Sequence, residues 1–261
     1  MRYHKVSRLF VAVPLSINQN INLTKEQSHY LANVMRKKIG DDVILFNSSD
    51  GEFLAKIFLI SKNNCELNVA KKLRDFYQSP NLTLVFSPVK SVKPEFIIQK
   101  ATELGVRKII PCIFKNTIKE GANLERLKAI AIEAAEQCER LDIPDVSSVI
   151  EFEKLFKTYQ ENSEEKIFIL CDETGKGGDP EEVLSNINQI NKNLNQPENI
   201  IFIGAEGGFD KSEIDAIYKL KNSFGIGLGA RILKAETAII SAISIWQLKC
   251  GDFNQKPDFR S

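Results

Sequence analysis

The run Gly204-Ala205-Glu206-Gly207-Gly208-Phe209-Asp210 places three glycines and a carboxylate directly after the apolar stretch Asn199–Ile203. Glycines at the end of a buried parallel strand permit left-handed backbone and close approach of a ligand, at the edge where open α/β sheets bind ligands. A carboxylate there, Glu206, either recognises hydroxyl groups or does acid–base work, while Asp210 suits the cap of a following helix. The glycines fall at 204, 207 and 208, so the spacing is not G-x-G-x-x-G, and a plain tight turn is the competing reading. A second loop, Leu228-Gly229-Ala230-Arg231-Ile232-Leu233-Lys234-Ala235-Glu236-Thr237-Ala238, also lies between a strand-like stretch and a helical one. Arg231, Lys234, Glu236 and Thr237 crowd one strand end; the alternative is two solvated cations and a first helical turn decorated by an acid. Two polar, glycine-containing loops after successive strands converge on one sheet edge, which is where a ligand pocket forms.

The elements that must hold these loops are legible from about Pro80. Apolar strand-like stretches at Leu82–Ser87, Lys108–Pro111, Lys166–Cys171, Asn199–Gly204 and Ser223–Leu228 alternate with helical periodicity over Pro94–Leu104, Leu124–Arg140, Pro180–Asn188, Asp210–Lys221 and Lys234–Lys249. Such alternation predicts a parallel sheet covered by helices. Residues 186–199 are rich in asparagine and read as a polar surface excursion. Before the interruption at Lys71–Pro80 the rhythm differs. Short strands are expected at Arg8–Val13, Val43–Phe46, Glu52–Leu59 and Cys65–Ala70, with one helix from Thr24 to Lys38 that carries a capping box and places Tyr30, Leu31, Val34 and Met35 on one face. Two further helical patterns stand out. After Lys90 and Lys93, one helix sets Phe96, Ile97, Lys100, Ala101 and Leu104 in an inward stripe with Lys100 as the exception and ends at Gly105, and on the other Glu133, Glu136, Gln137 and Arg140 recur as one polar face, either solvated or the wall of a site.

With 261 residues, 43% hydrophobic and 26% charged, the chain has a globular composition, which excludes disorder and collagen. Five scattered cysteines without a C-x-x-C pair, and only His4 and His29, argue against a zinc site or a disulfide framework, so no metal is expected. Leu9–Leu15 is too short for a signal peptide, and no apolar run is long enough to span a bilayer. A cytoplasmic protein with no membrane contact is expected. The net charge of +1 hides an excess at the front, where residues 1–40 hold seven Lys/Arg against Glu26 alone. Such a field attracts phosphate, the alternative being a lysine-rich solvated surface.

Taken in order, Arg8-Leu-Phe-Val, His29-Tyr-Leu-x-x-Val-x-Arg36-x-Lys38-x-Gly40-Asp41, Lys90-x-x-Lys93-x-Glu95-x-Ile-Ile-Gln99-Lys100-Ala-Thr102-Glu103-Leu-Gly105, Glu133-Ala-Ala-Glu136-Gln137-Cys-x-Arg140, Gly204-x-Glu206-Gly207-Gly208-Phe209 and Leu228-Gly229-x-Arg231-Ile-Leu-x-x-Glu236-Thr237-Ala238 resemble the RsmE family of SPOUT-class methyltransferases over nearly the whole chain. Two departures are Ala205, where the family usually has proline, and Lys234, where arginine is common; they alter loop rigidity and fork geometry respectively.

The resemblance implies an α/β protein, with a PUA-like RNA-binding β-barrel over residues 1–73 and a SPOUT domain over 74–261 that holds a parallel sheet and a deep trefoil knot and forms a homodimer. General topology rules argue against threaded chains, so the knot comes from the resemblance alone. It also implies S-adenosylmethionine as methyl donor and, as acceptor, N3 of a uridine in 16S ribosomal RNA of the small subunit, uridine 1498 in the usual numbering. Three loops would hold the donor. Leu170, Asp172 and Glu173 belong to the first, Gly204, Glu206, Gly207 and Gly208 to the second, and Leu228, Gly229, Ile232, Leu233 and Thr237 to the third. Arg231 is expected to stabilise charge on the base, with Glu206 or Glu236 taking the N3 proton. Arg8, Lys25, Arg36, Lys37, Lys38, Lys90 and Lys93 are expected at RNA phosphates. A catalytically inactive RNA-binding or assembly factor of the same fold is the main rival; a dinucleotide oxidoreductase is disfavoured by the glycine spacing.

Overall fold

Residues 6–88, 93–117, 123–205 and 207–256 are described by the computed structural model. Among them, one unit comprises the residues up to Gln78 together with Ala135–Ile143, and a second comprises Ser79–Ala134 and Pro144–Lys256. The boundary expected at 73/74 thus falls a few residues later, and a short segment from mid-chain joins the first unit. It does so because Ala135 and Leu141 bury against Phe46, with Phe10, Phe76 and Ile143 packed around them.

Short strands form the first unit's sheet, β1 (Ser7–Phe10), β2 (Asn20–Asn22), β3 (Asp42–Asn47), β4 (Gly51–Ile60) and β5 (Cys65–Arg74), in the order β1-β3-β4-β5-β2. β1 runs parallel to β3 and the remaining pairs are antiparallel. Leu9 from one edge strand and Ile21 from the other reach the same core as Leu45, Ala55, Ile57 and Leu67. The mixed sheet therefore coils around one apolar centre, as a barrel-like domain requires.

The expected helix over Thr24–Lys38 is shorter than its pattern. Thr24 caps α1 (Lys25–His29) through a capping box with Gln27, and the chain then widens into a π-helical turn, Tyr30–Val34, closed by the Met35 N–H on the Tyr30 carbonyl at 2.9 Å. Arg36 adopts φ +52° and ends it. Of the four residues expected on one helical face only Leu31 is buried; Tyr30, Val34 and Met35 are exposed.

Arg8 corrects a second expectation. It is only 9% exposed and its guanidinium is spent inside the first unit. Nε donates to Glu52 Oε1 at 2.6 Å, Nη1 to the Ala135 carbonyl at 2.8 Å and Nη2 to the Arg140 carbonyl at 2.7 Å, over the Phe46 ring. Arg74 completes the group, reaching both oxygens of Glu52 and the Glu139 carbonyl. Two arginines thus satisfy carbonyls at and just past a helix end that would otherwise lack partners. Arg8 is a structural cation, not a phosphate contact.

In the second unit, β6 (Leu82–Phe86), α2 (Pro94–Glu103), β7 (Lys108–Ile113), α3 (Leu124–Cys138), β8 (Asp145–Val146), β9 (Ile150–Glu151), α4 (Phe152–Glu161), β10 (Lys166–Cys171), α5 (Pro180–Asn193), β11 (Glu198–Ile203), α6 (Lys211–Tyr218), β12 (Ser223–Ile226) and α7 (Ala235–Lys249) follow one another; α3 ends in the first unit. The strands pair in the order β12-β10-β11-β6-β7-β8, with β9 also on β7, and every pairing is parallel. Phe168, Leu170, Ile200 and Phe202 fill the core with Phe114, Phe152 and Tyr159.

The asparagine-rich stretch is not a surface excursion. α5 continues to Asn193, and buried Asn199 donates to Asn191 Oδ1 at 2.8 Å while accepting from Trp246 Nε1 at 3.1 Å. Buried amides persist because each finds a partner.

Candidate functional site

The order β12-β10-β11 sets the carboxyl ends of three parallel strands side by side, with β10 between the two strands whose loops drew attention. Parallel strands all deliver their following loops to one edge, so the segments after Cys171, Ile203 and Ile226 are neighbours. The third loop, Asp172-Glu173-Thr174, occupies the middle place.

Asp172 is buried, and its carboxylate is already occupied. Oδ1 accepts from the Thr174 amide at 2.8 Å and hydroxyl at 2.6 Å, and Oδ2 accepts from Tyr218 Oη at 2.6 Å. Burial opposes its ionisation, but these hydrogen bonds outweigh it and hold the carboxyl below its ordinary range. Asp172 therefore braces the loop rather than offering a free carboxylate. Leu170 likewise points its side chain into the core, leaving only backbone for a ligand.

Tyr218 reaches Asp172 across Gly225, where a Cβ would collide with the phenol oxygen. Gly225→Ala is expected to displace the hydroxyl and cost about 1–3 kcal/mol of stability in urea titration. The loss should shrink in a Tyr218→Phe background, since the two changes act on one contact. Additive losses would show that the collision is relieved elsewhere.

The glycine loop is held from both sides. Gly208 has φ +68°, and Glu173 lies so close to it that a Cβ would strike the carboxylate. From the segment after β7, Asn116 Nδ2 donates to the carbonyls of Gly207 at 3.0 Å and Gly208 at 3.3 Å, and Phe114 stands edge-on to Phe209 at 5.0 Å. Lys115 Nζ pairs with Asp210 at 3.0 Å. Hydrogen bonds from Ser212 and Lys115 push that carboxyl down to about 2, and Asp210 caps α6 as expected. Sequence reasoning missed Lys115, Asn116 and Thr117. They sit directly after the β7 strand, in the position that marked the other loops, but without a glycine to draw attention.

Glu206 and Lys90 lie outside the described residues. Arg231 is exposed and Glu236 half-buried on the first turn of α7. Neither makes an ion pair with the other or with any other group among the described residues. The backbone groups of Leu228–Leu233 likewise make no hydrogen bond there, and Gly229 (φ +97°) has open space where a side chain would be. Ile232 is 97% exposed. Amides and carbonyls beside glycines that make no hydrogen bond among the described residues, with an apolar side chain and a cation that has no ion pair among them, suit a ligand that has polar edges, a flat face and a reacting partner bearing negative charge. Thr237 is exposed beside them. Among the described residues no cluster fit to hold a metal ion is present, and no helix is long and apolar enough to cross a membrane.

Lys25, Arg36, Lys37 and Lys38 cluster on α1, the π-helical turn and its exit, and Lys93 is exposed before α2.

A model described as an RNA methyltransferase domain matches residues 77–247, and one described as an RNA methyltransferase PUA domain matches residues 23–70. The ribosomal RNA small subunit methyltransferase E of Rickettsia conorii is 36% identical over 241 residues, 92% of this chain and 94% of that protein. Its namesake in Bacillus subtilis is 30% identical over 231 residues, 85% and 88% of the two chains. The crystal structure of the enzyme of that name from Neisseria gonorrhoeae, bound to S-adenosyl methionine, aligns with a TM-score of 0.82 at 25% identity, covering 95% of this chain and 99% of the other. A putative methyltransferase from Legionella pneumophila with bound S-adenosyl methionine aligns at 0.81 with 26% identity over 95% and 100%. A coiled mixed sheet, a parallel α/β unit with three loops meeting at one edge, and these likenesses along almost the full length lead to one assignment: the chain belongs to the ribosomal RNA small subunit methyltransferase E family.

Proposed function

We propose that this chain methylates N3 of one uridine in 16S ribosomal RNA, using S-adenosylmethionine, at the three-loop edge of its parallel sheet. The observation that carries the reading is Arg231, without an ion pair among the described residues, beside backbone polar groups at Leu228–Leu233 that make no hydrogen bond among them. When bound, S-adenosylmethionine supplies an electrophilic methyl group that N3 receives as the carbon–sulfur bond breaks. Backbone of Leu170, Gly204, Gly207, Gly208, Leu228, Gly229 and Leu233 would hold it, with Ile232 against its flat face and Glu173 and Thr237 at the rim.

Uracil N3 is a poor nucleophile while protonated, so the chain must take that proton and stabilise charge spreading to O2 and O4. Glu206 or Glu236 accepts the proton and Arg231 opposes the developing charge. Lys25, Arg36, Lys37 and Lys38, with Lys90 and Lys93, would contact phosphates of the RNA within the small subunit. The homodimer, the trefoil knot, residues 1–73 as the RNA-binding part and a cytoplasmic location belong to the same reading.

The test uses small subunits from cells lacking the gene, incubated with the protein and the methyl donor. A methyl on N3 blocks Watson–Crick pairing, so reverse transcriptase is expected to halt at one uridine only in treated RNA. No halt, together with no heat of donor binding by calorimetry, would instead favour an inactive assembly factor of the same fold.

A further inference from the structure

Of the four residues that the sequence places on one helical face, Tyr30, Val34 and Met35 are exposed and Leu31 is buried. Within ten residues the first unit presents Tyr30 (41% exposed), Val34 (60%), Met35 (41%) and Ile39 (66%) to solvent. An α-helix continued through these positions would turn part of the set toward the core, as Leu31 is. The π-helical turn and Arg36 in the left-handed region prevent that. Such turns and strained non-glycine residues concentrate at functional sites.

The platform is pinned from beneath. Leu31 and Ser28 are fully buried, Gln27 Nε2 donates to the Phe10 carbonyl at 2.7 Å, and the Gly40 amide donates to the Ile57 carbonyl at 2.8 Å. Elsewhere in the unit Lys56 and Lys72 are paired with Asp42 and Asp75, and exposed Lys62 makes no ion pair among the described residues. Lys25, Arg36, Lys37 and Lys38 make no ion pair among the described residues.

We infer that this ledge binds an unpaired RNA strand, its bases lying on Tyr30, Val34, Met35 and Ile39 and its phosphates on Arg36, Lys37 and Lys38. The inference rests on the RNA-binding reading of the first unit and adds which form of RNA it takes. Four apolar side chains set among cations without ion pairs among the described residues gain little from a duplex, whose stacked bases show only their edges in the grooves. Splayed bases offer flat apolar faces, and phosphates follow them along the strand.

The full chain is titrated by fluorescence anisotropy against a labelled single-stranded oligoribonucleotide and a blunt-ended RNA duplex of the same length, across a salt series. Tyr30→Ala is expected to weaken single-strand binding about tenfold, leave duplex binding unchanged and keep the salt slope, while Tyr30→Phe stays near wild type. Ile39→Ala, at an exposed site, should act in the same direction with an unchanged melting curve, which guards against a Tyr30 variant that fails to fold. Arg36→Ala should lower the salt slope by about one for both RNAs.

If Tyr30→Ala and Ile39→Ala bind the strand as wild type does while Arg36→Ala still flattens the salt slope, the ledge is overturned and RNA binding by this unit stands. If wild type binds neither RNA, the underlying reading fails. Loss confined to assembled subunits, or a changed sedimentation state in either variant, would assign the ledge to a protein contact and overturn the inference.

Discussion

Replacing Arg231 by alanine is expected to lower the methyl-transfer rate by about 100- to 1000-fold, the range seen when one donor to a developing negative charge is removed. The guanidinium lies in the loop after β12, exposed and without an ion pair among the described residues, so its removal leaves no buried partner stranded. Stability and fold should therefore survive. Donor affinity, measured by calorimetry, should change by less than about threefold, because the donor rests on backbone groups of the neighbouring loops. Rate and affinity falling together would mean that Arg231 holds the donor and does not act on the base. Arg231→Lys should recover only part of the rate, since an ammonium lacks the planar fork.

The second large effect falls on stability. Arg8→Ala would leave Glu52 buried with Arg74 alone, and would free the carbonyls of Ala135 and Arg140 in an apolar setting. Breaking a buried pair from one side costs about 3–5 kcal/mol. Urea titration is expected to show a loss of that order in the transition of the first unit, and the salt slope of RNA binding by the surviving folded protein should stay unchanged. An unaltered melt with a reduced salt slope would return Arg8 to the role of a phosphate contact.

Periodicity located most elements of the second unit because parallel strands buried on both faces read as apolar runs, as in Lys166–Cys171, which the structure reproduces residue for residue. The two glycine-bearing loops were visible for a similar local reason. What sits between them was not. Strand order is a long-range property, and nothing near Asp172 announces that β10 separates β11 from β12 or that Tyr218 will claim its carboxylate. α4, with Phe152, Leu155 and Tyr159 buried on one face, went unread although its spacing is helical.

Errors in the first unit share a cause. Charge and hydrophobicity say what a side chain prefers, and backbone geometry decides whether it gets it. Arg8 reads as a solvated cation until β1 pairs with β3 and carries it inside. Tyr30, Leu31, Val34 and Met35 read as one face of an α-helix, but the chain widens into a π-helical turn and only Leu31 of the four is buried. The family resemblance supplied the fold of each part, but not which arginine is structural.

The segment Ala135–Ile143 belongs to a unit whose other described residues all precede Ser79. During synthesis the N-terminal sheet therefore emerges from the ribosome well before the carbonyls that receive the Arg8 guanidinium. Until some sixty further residues have cleared the exit tunnel, the Arg8–Glu52 group stays open to water on that side. Maturation of the front half is timed by translation of the back half, and a fragment stopped at Gln78 would be born without its own clasp.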